Sequence, residues 1–583
     1  MMYTRSLDFF RFSLIVALLG LPLGHAAWSQ GGVPLPPGAH LVTLIQDAAG
    51  VARVVDDKMV SGSRRLRLRG GGRFDSFPRV IVEEAPLGGE TVIEVIGASL
   101  ADVRSRLSRK GLSFDQASLE AAVAGIHAAK DTAADEVRTL LNSGPSENRI
   151  DLVFMGDGYT AQEKEKFFAD ISRILNELFE TPTFRPYRPL FNVHAVFRAS
   201  QESGLGRGSP RDTAYRLYRQ GNTLRAIFCG DSSAARASSH AAPDCDYPVL
   251  IANDPYYGGL GGEFAISTAS PTSGTMVLRH ELGHNFGRVG EEYDGGGYFG
   301  ANTASRLSSI GWSHWLTGDL EAASSKARFL DWPWHNLQDG AYTAKFKSDG
   351  QYAYRHIAFS ASGIVDNNDL VIELDGEPVA FNAPGYPDRA FHELFLRGGF
   401  SDGNHKLVFR ESAQDGDNWV SSLTVHEYGE HFVFDDSFVG AFPLYSQGGS
   451  VAAYRSNWET CLMRHMQSDR FCDVCIENIW LKFLDNVSLI DAVDVAEDGD
   501  QVTVSLSTVP LGAQRPSALA GESIQIVWIK DGVEVESLNG LLSWTGSRSD
   551  VAGSYVAQVT LVTPQVRKDP RGLLKDLQAF RID

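Results

Sequence analysis

The chain has 583 residues, of which 43% are hydrophobic, and 53 Lys and Arg oppose 72 Asp and Glu to give a net charge of −19. This length is too great for one ordinary hydrophobic core, so several folded domains are expected. The acidic balance argues against a nucleic-acid-binding protein or one that sits on anionic lipid.

Residues 1–29 have the pattern of a secretory signal peptide. Basic Arg5 and Arg11 come before or at the edge of an apolar run over 12–23, and small residues follow. The run is shorter than the roughly 20 residues of a membrane-spanning helix, and no later segment is long and apolar enough to be one. The first cysteine is Cys229, so a lipid-anchored cysteine after the leader is excluded. We expect a secreted or periplasmic protein without an integral membrane segment.

The next two segments differ in their secondary-structure patterns. Residues 31–145 mix short strand-like runs with a polar helical stretch, which predicts a small N-terminal α+β domain. In 146–336 an apolar strand at 150–155 is followed by a helix, and Thr160 with Glu163 forms a capping box at its start. Further strand-like runs alternate with helices, which is typical of an α/β layer.

Strands dominate the second half of the sequence. Residues 337–436 contain alternating apolar runs and an Asp375-Gly376 turn, which predict a β-sandwich inserted into the α/β domain. Residues 437–492 return to that domain. Alternating runs after 493 predict a C-terminal immunoglobulin-like β-sandwich over 493–583.

The stretch RHELGHNFGRVGEEYDGG, residues 279–296, contains the H-E-x-x-H pattern. On a helix His280 and His284 lie one turn apart and can present two imidazoles to one zinc ion. Glu281 flanks the same edge and can act as a general base on water. Apolar residues form a stripe on the opposite face, which favours a helix buried on one side. The alternative is a surface helix whose histidines coincide by chance.

A catalytic zinc usually has three protein ligands and a water molecule. Gly287 is expected to break the helix, so that the chain turns back and supplies the third ligand. No histidine follows in this stretch, and its acidic side chains are Glu291, Glu292 and Asp294. One of the two glutamates is therefore the predicted third ligand.

Five motifs in order carry a family resemblance. They are VFMGDGYTAQE, LFNVHAVFRASQESGL, YYGGLGGEFA, RHELGHNFGRVGEEY and FVGAFPLY...YRSNWETCLMRHM...FCDVC. Over 145–336 and again over 437–490 the sequence resembles the IgA peptidase family of zinc metallopeptidases, typified by a bacterial protease that cleaves immunoglobulin A.

The resemblance implies a metzincin-like zinc peptidase domain, in which a Met turn underlies the zinc. Met463 is the candidate, and the alternative is an ordinary core methionine. Family members usually carry Asp then Glu before the tyrosine, whereas this sequence has Glu291 and Glu292. A ligand tolerates a change of arm length poorly, which favours Glu292 as the zinc ligand.

Two further groups are candidate site residues. Tyr257, Gly258 and Gly259 are expected in an edge strand that pairs with an extended substrate, or else in a flexible glycine loop. Tyr293 follows the two glutamates and is expected either to donate a hydrogen bond to the oxyanion or to pack against the turn.

These observations predict a secreted zinc endopeptidase with Glu281 as general base, acting on a protein or glycoprotein. The β-sandwich modules are expected to dock a glycan or a cell surface. One alternative is a catalytically inactive surface or glycan-binding protein, although an intact Glu281 argues against it. Another is a metal-dependent amidase acting on cell-wall peptides.

The cysteines and the acidic turns are candidates for further metal sites or disulfides. Cys461, Cys472 and Cys475 can form a disulfide or, with His465, a second zinc site. Cys229 is close enough in sequence to Cys245 to pair with it. Acidic turns such as DNND and DGDN leave a structural calcium ion open, although they match no complete calcium loop.

Overall fold

A computed structural model describes most of the chain after residue 134. The described residues are 135–320, 324–412 and 416–583, together with the N-terminal segments 35–46, 52–62, 80–84, 91–97, 100–109, 117 and 119–121. The expected leader, 1–29, lies outside them. Within these segments no helix has the length and apolar character needed to cross a membrane.

The N-terminal segments form an antiparallel sheet with one helix. Its elements are β1 Leu35–Gln46, β2 Ala52–Gly62, β3 Val80–Glu84, β4 Thr91–Gly97 and α1 Leu100–Arg109. The strand order is β2-β1-β4-β3. Val42 and Leu44 of β1 are buried with Val103 and Leu107 of α1, because the helix repeat and the strand alternation turn their apolar residues towards each other.

A mixed sheet forms the centre of the molecule. The elements in chain order are β5 Glu136–Leu141, β6 Ile150–Asp157, α2 Lys164–Glu180, β7 Phe191–Phe197, β8 Gly206–Arg207, β9 Leu217–Arg219, β10 Ile227–Cys229, α3 Ser232–Ser239, β11 Tyr247–Ala252, β12 Ala265–Thr268 and α4 Gly274–Leu282. The sheet order is β12-β11-β6-β7-β5, in which four strands are parallel and β5 is an antiparallel edge. β5 begins before residue 145, so the N-terminal domain ends earlier than that boundary.

The predicted strand and helix of this layer are present. All residues of β6 are buried, as expected for a strand covered on both faces. Thr160 and Glu163 form the predicted capping box, which begins a short 3₁₀ turn that leads into α2. Apolar residues of α2 are buried at helical spacing, which fixes the helix on one face of the sheet.

Two antiparallel sheets with a common core make up the inserted module. The short strand β13, Thr303–Ala304, precedes the module. The strands of the module are β14 Ser325–Asp331, β15 His335–Asn336, β16 Tyr342–Asp349, β17 Tyr354–Ser362, β18 Leu370–Leu374, β19 Glu377–Pro378, β20 Ala390–Arg397, β21 Asp402–Glu411 and β22 Trp419–Tyr428. One sheet has the order β14-β22-β17-β20, with β15 beside β22, and the other has β16-β21-β18-β19. Because β14 pairs with β22, the module begins at Ser325 and not at 337.

The Asp375-Gly376 turn is confirmed. It joins β18 to β19, and both residues have positive φ, 56° at Asp375 and 90° at Gly376. Positive φ at both central residues is the requirement of a two-residue hairpin turn that matches strand twist.

After the inserted module the chain pairs again with the earlier part. The elements are β23 Phe442–Tyr445, β24 Val451–Arg455, α5 Asp473–Asn486, β25 Ile490–Asp498, β26 Gln501–Thr508, β27 Ser523–Lys530, β28 Val533–Glu534, β29 Ser543–Ser547, α6 Arg548–Val551, β30 Gly553–Val562 and β31 Lys575–Ile582. β24 pairs with β13 and β23. The last strands form two sheets, β25-β26-β29 and β28-β27-β30-β31, as expected for a β-sandwich module. One apolar core runs from the central sheet through α5 into these strands.

A buried ion pair joins the central sheet to the C-terminal strands. Both terminal nitrogens of Arg149 donate to the Asp491 carboxylate, at 2.6 and 2.8 Å. Arg149 is 1% exposed and also donates to the carbonyl oxygen of Ser143. A buried ion with this bonding becomes costly when its partner is removed.

We expect Arg149→Met to lower the free energy of unfolding by about 3 kcal/mol, because it leaves the Asp491 carboxylate without its cationic partner and the Ser143 carbonyl without its donor. Chemical denaturation followed by tryptophan fluorescence measures the change. Arg581→Met is the matched control, because Arg581 and its partner Asp583 are 71% and 87% exposed. The control should change stability by less than about 0.5 kcal/mol. Equal losses in the two variants would contradict the role given to the buried pair.

Candidate metal site

The two histidines lie on one face of α4 and its continuation. After Leu282 the helix widens into one π-helical turn, Gly283–Gly287. The rings of His280 and His284 are edge to face with centroids 4.9 Å apart. Leu282 and Phe286 on the opposite side are buried, so the apolar stripe holds the helix against the core.

Backbone carbonyls orient both imidazoles. His280 Nδ1 lies 3.2 Å from the carbonyl oxygen of Leu462, and His284 Nδ1 lies 2.7 Å from that of Val289. A carbonyl oxygen only accepts, so each Nδ1 carries the hydrogen and donates. Each Nε2 is therefore the nitrogen that is left for a metal ion once it has lost its proton, which is the usual arrangement of a metal-binding histidine.

Glu291 is the carboxylate that reaches the histidines. Its Oε2 is 3.2 Å from His280 Nε2, and its Oε1 is 3.1 Å from His284 Nε2. The preference for Glu292 is therefore corrected, because Glu292 points away from the imidazoles and is fully buried elsewhere. We call His280, His284 and Glu291 the histidine site.

The backbone after α4 determines the directions in which the Glu291 and Glu292 side chains point. The left-handed residue that reverses the chain is Arg288, with φ 50°, and not Gly287 as expected. Gly287 is small for another reason, since a Cβ there would lie 3.0 Å from Ile479 of α5. Further along, the N–H of Glu291 donates to Gly297 and the N–H of Glu292 donates to Met463.

The histidine site has the donors and spacing of a divalent-metal site. With about 2.0 Å metal bonds, two ligand atoms of a tetrahedron are about 3.3 Å apart. The two observed nitrogen–oxygen distances, 3.1 and 3.2 Å, are close to that value. Two imidazoles and one carboxylate are also a usual ligand set of catalytic zinc.

When no cation is bound, protons on the imidazoles balance the negative charge of the Glu291 carboxylate. Burial lowers the pKa of His280, but the Glu291 carboxylate outweighs burial and raises that pKa to about 9. The pKa of His284 is raised in the same way. Burial alone would raise the pKa of Glu291, and the two imidazoles hold it well below its ordinary value. A metal ion would take the place of these protons.

Glu281 lies beside the ligands without being one of them. Burial raises its pKa, while the two neighbouring imidazoles act against burial. The backbone N–H of Gly261 donates to its carboxylate, and a Cβ at Gly261 would lie 2.7 Å from Glu281 Oε2. A side chain at position 261 would therefore press on this carboxylate.

Tyr293 is also next to the histidine site. Burial raises the pKa of its hydroxyl strongly, and the adjacent Glu291 carboxylate, to which the hydroxyl donates, raises it further. The Tyr293 ring packs against Trp332, with centroids 5.5 Å apart. The hydroxyl therefore faces the ligands, and the ring packs against the start of the inserted module.

The expected substrate-pairing edge at Gly258 and Gly259 is corrected. The Gly259 N–H donates to Arg225, and its carbonyl accepts from the N–H of Ile227, so its backbone groups are already used. A Cβ at Gly258 would lie 2.8 Å from Ile227 Cδ1. These glycines allow close packing of two chain segments and do not leave an open edge.

The inserted module holds Tyr257 near the histidine site. The Tyr257 N–H donates to Asp388 at 2.6 Å, and its carbonyl accepts from Arg219. The guanidinium of Arg389 lies 4.7 Å from the centre of the Tyr257 ring and 5.0 Å from that of Phe391. Sequence reasoning missed Asp388 and Arg389, because nothing in the local pattern distinguishes them from other loop charges.

Asp388 also binds the start of the histidine-bearing helix. Its Oδ2 accepts hydrogen bonds from the hydroxyls of Ser270, Thr272 and Ser273, and Ser273 is the residue that caps α4. A carboxylate at this end of a helix is favourable, because the helix N-terminus carries a partial positive charge.

Met463 lies beneath the helix at the level of the histidines. It is fully buried, and a Cβ at Gly283 would lie 2.9 Å from its sulfur. The carbonyl of Cys461 accepts from the N–H groups of Arg464 and His465, which closes a tight turn around Met463. The assignment of Met463 to a Met turn stays a prediction.

Glu292 meets three cysteines instead of the histidines. We call Glu292, Cys461, Cys472 and Cys475 the cysteine cluster, and all four are buried. None of these cysteines is joined in a disulfide, and no disulfide links Cys229 to Cys245.

His465, the predicted partner of the cysteines, lies elsewhere. Its Nε2 is 3.1 Å from Glu393 Oε1 in the inserted module. Of the acidic turns considered for calcium, DNND uses its carboxylates within the turn. Asp369 accepts from the N–H groups of Val365 and Asp366.

Comparison with known proteins gives one family match. The family model described as IgA Peptidase M64 matches residues 138–329. No curated protein matches the chain. Among solved structures, CBM35 from Cellvibrio japonicus Abf62 is 14% identical over 19% of this chain and 96% of its own, with a TM-score of 0.14. A β-glucosidase from Kluyveromyces marxianus is 9% identical over 45% of this chain and 50% of its own, with a TM-score of 0.13. TM-scores this low support no conclusion about fold or ligand.

We expect the affinity of the histidine site for Zn²⁺ to keep rising with pH up to about 9, because His280 must lose its proton to bind a metal. The rise should be roughly tenfold per pH unit while one proton is displaced. Competition with a chromophoric chelator at a series of pH values measures it.

Glu291→Gln is the control for this titration. Without the carboxylate the affinity should be weaker and should level off at a lower pH than in the wild type, because burial then lowers the pKa of His280 with less opposition. If the two proteins level off at the same pH, Glu291 does not hold the imidazoles in their charged form.

Proposed function

Because the match over residues 138–329 places the chain in the IgA peptidase M64 family, we propose that it is a zinc-dependent endopeptidase. The family implies a metallopeptidase. The observation that supports this chain's own activity is the convergence of His280 Nε2, His284 Nε2 and the Glu291 carboxylate beside a separate carboxylate, Glu281.

In this proposal His280, His284 and Glu291 hold the zinc. The bound ion would polarise the scissile carbonyl and lower the pKa of a water molecule. The three protein ligands leave a position open, which distinguishes a catalytic from a structural zinc site. The backbone carbonyls of Leu462 and Val289 keep both imidazoles in the tautomer that binding needs.

Glu281 is the proposed general base. Its carboxylate accepts a proton from the attacking water and then donates it to the nitrogen of the leaving amine. The raised pKa supports both halves of this task, because a carboxyl closer to neutrality accepts and returns a proton more readily. The N–H of Gly261 holds the carboxylate in place.

Tyr293 is proposed to donate a hydrogen bond to the oxyanion that forms at the scissile carbonyl. Its hydroxyl donates to Glu291, and its raised pKa keeps the hydroxyl protonated. Met463 beneath Gly283 supports the further proposal that the domain is metzincin-like.

The location of the protein, its class of substrate and the role of its β-sandwich modules are proposed from the sequence. The leader-like residues 1–29 support export to a secreted or periplasmic location, where a protein or glycoprotein is the substrate. Docking of a glycan or a cell surface is the role proposed for the β-sandwich modules.

Glu281→Gln should reduce peptide-bond hydrolysis by about 10³-fold without removing the metal, because it deletes the base and keeps the side-chain shape. Hydrolysis of casein and of glycoproteins, run with elemental analysis for zinc, measures both properties. His284→Ala is the paired control and should lose zinc and activity together.

Two outcomes of this experiment would contradict the proposal. Full activity in Glu281→Gln would remove its role as base. Zinc without hydrolysis of any protein, combined with cleavage of cell-wall peptides, would favour an amidase.

Tyr293→Phe should lower kcat by about 10²-fold with little change in KM or zinc content, because one donor to the oxyanion is lost. Steady-state kinetics on a fluorogenic peptide measures the two constants. Tyr298→Phe is a matched control, since its hydroxyl donates to the carbonyl of Tyr445 away from the histidine site. A loss of zinc in Tyr293→Phe would instead show that Tyr293 only positions Glu291.

A further inference from the structure

The cysteine cluster is a second group of metal-binding side chains that the proposed reaction does not use. Glu292, Cys461 and Cys475 are fully buried, and Cys472 is 3% exposed. Their ligand atoms all lie within 4.8 Å of one another. Nothing in the peptide-hydrolysis mechanism requires three thiols and a carboxylate at one buried point.

The spacing within the cluster is that of a tetrahedral zinc site. With zinc–sulfur bonds of about 2.3 Å and a zinc–oxygen bond of about 2.0 Å, two sulfurs are about 3.8 Å apart and a sulfur and an oxygen are about 3.5 Å apart. The sulfurs of Cys461 and Cys475 are 3.8 Å apart. Glu292 Oε1 lies 3.5 Å from Cys475 Sγ and 3.9 Å from Cys472 Sγ.

The two oxygens of the buried Glu292 carboxylate are satisfied unequally. Asn302 donates to Oε1 at 2.7 Å, but Oε2 has no hydrogen-bond partner among the described residues. Such an oxygen with no contact to water costs a large desolvation energy unless a cation or donor compensates it. The nearest groups that can share a cation with it are the three sulfurs.

The surroundings of Cys472 stabilise its sulfur in the anionic form. Cys472 caps the N-terminus of α5, and the N–H of Cys475 donates to its sulfur at 3.5 Å. The hydroxyl of Ser456 donates to the same sulfur at 3.4 Å. Donors and a helix N-terminus both favour thiolate, which is the form that binds zinc.

We propose that the cysteine cluster is a structural zinc site, separate from the histidine site. Zinc binds here as the three thiols release their protons to solvent, and no electron is transferred. All four positions are filled by protein, so the ion has no open position for water and plays a structural part.

This ion would join three segments that carry the histidine site. Glu292 is next to Glu291 in the chain, Cys461 is part of the turn around Met463, and Cys472 begins α5. A cation shared by these segments would fix the direction in which Glu291 points. The inference does not depend on the peptidase activity, because its test counts metal ions in a variant without the histidine ligands.

The first test is the zinc content of the full-length protein by elemental analysis. Wild type should hold about two zinc ions per chain, and the His280→Ala/His284→Ala variant should hold about one. Replacing that remaining ion with Co²⁺ should give the intense near-ultraviolet band of thiolate-to-cobalt charge transfer. The histidine substitutions keep all four side chains of the cysteine cluster, and circular dichroism checks that the variant is folded.

The second test changes the cluster in the same histidine-free background. Glu292→Gln keeps the side-chain shape but removes the charge, and zinc should then be lost to a chelator at an at least ~100-fold lower chelator concentration. Cys229→Ser is the matched control, because Cys229 lies outside the cluster, with its thiol directed at the carbonyl of Tyr215. It should keep both the ion and the cobalt band.

Three results would overturn the proposal. The first is a folded His280→Ala/His284→Ala variant, checked by circular dichroism, that holds no metal. The second is an ion that is held equally tightly after Glu292→Gln. The third is a disulfide between two of the cluster cysteines, found by mass spectrometry after alkylation of the unreduced protein.

Discussion

The backbone N–H of Glu292 donates to the carbonyl of Met463 at 2.9 Å, and the geometry around the metal-binding residues depends on this bond. It holds the chain after α4 against the turn of 461–465. The side chains of the two adjacent glutamates point to different sites. Once Glu292 is held there, Glu291 faces the histidines and Glu292 faces the cysteines. The same turn supplies the Leu462 carbonyl to His280.

The inserted β-sandwich is part of the site's construction. Its Asp388 binds three hydroxyls at the start of α4 and the N–H of Tyr257, so it connects the helix to the glycine-rich segment. Arg389, next in the chain, is buried against the Tyr257 ring. These buried contacts of Asp388 and Arg389 fix the position of the inserted module relative to the histidine site.

Local patterns predicted local structure well. The capping box at Thr160 and Glu163 and the turn at Asp375 and Gly376 are present because each depends on a few adjacent residues. Domain boundaries were less predictable. β5 joins the central sheet and β14 joins the inserted module through pairing with strands far away in sequence. No local signal in either strand identifies its partner.

The sequence by itself determined the chemistry of His280, Glu281 and His284, because residues four apart on a helix share a face whatever surrounds them. Only the tertiary structure decided between Glu291 and Glu292. The two glutamates are adjacent in the chain and have the same chemistry, so the local sequence does not distinguish them. A contact with Met463, from a distant part of the chain, determines which of them meets the imidazoles and leaves the other among the cysteines.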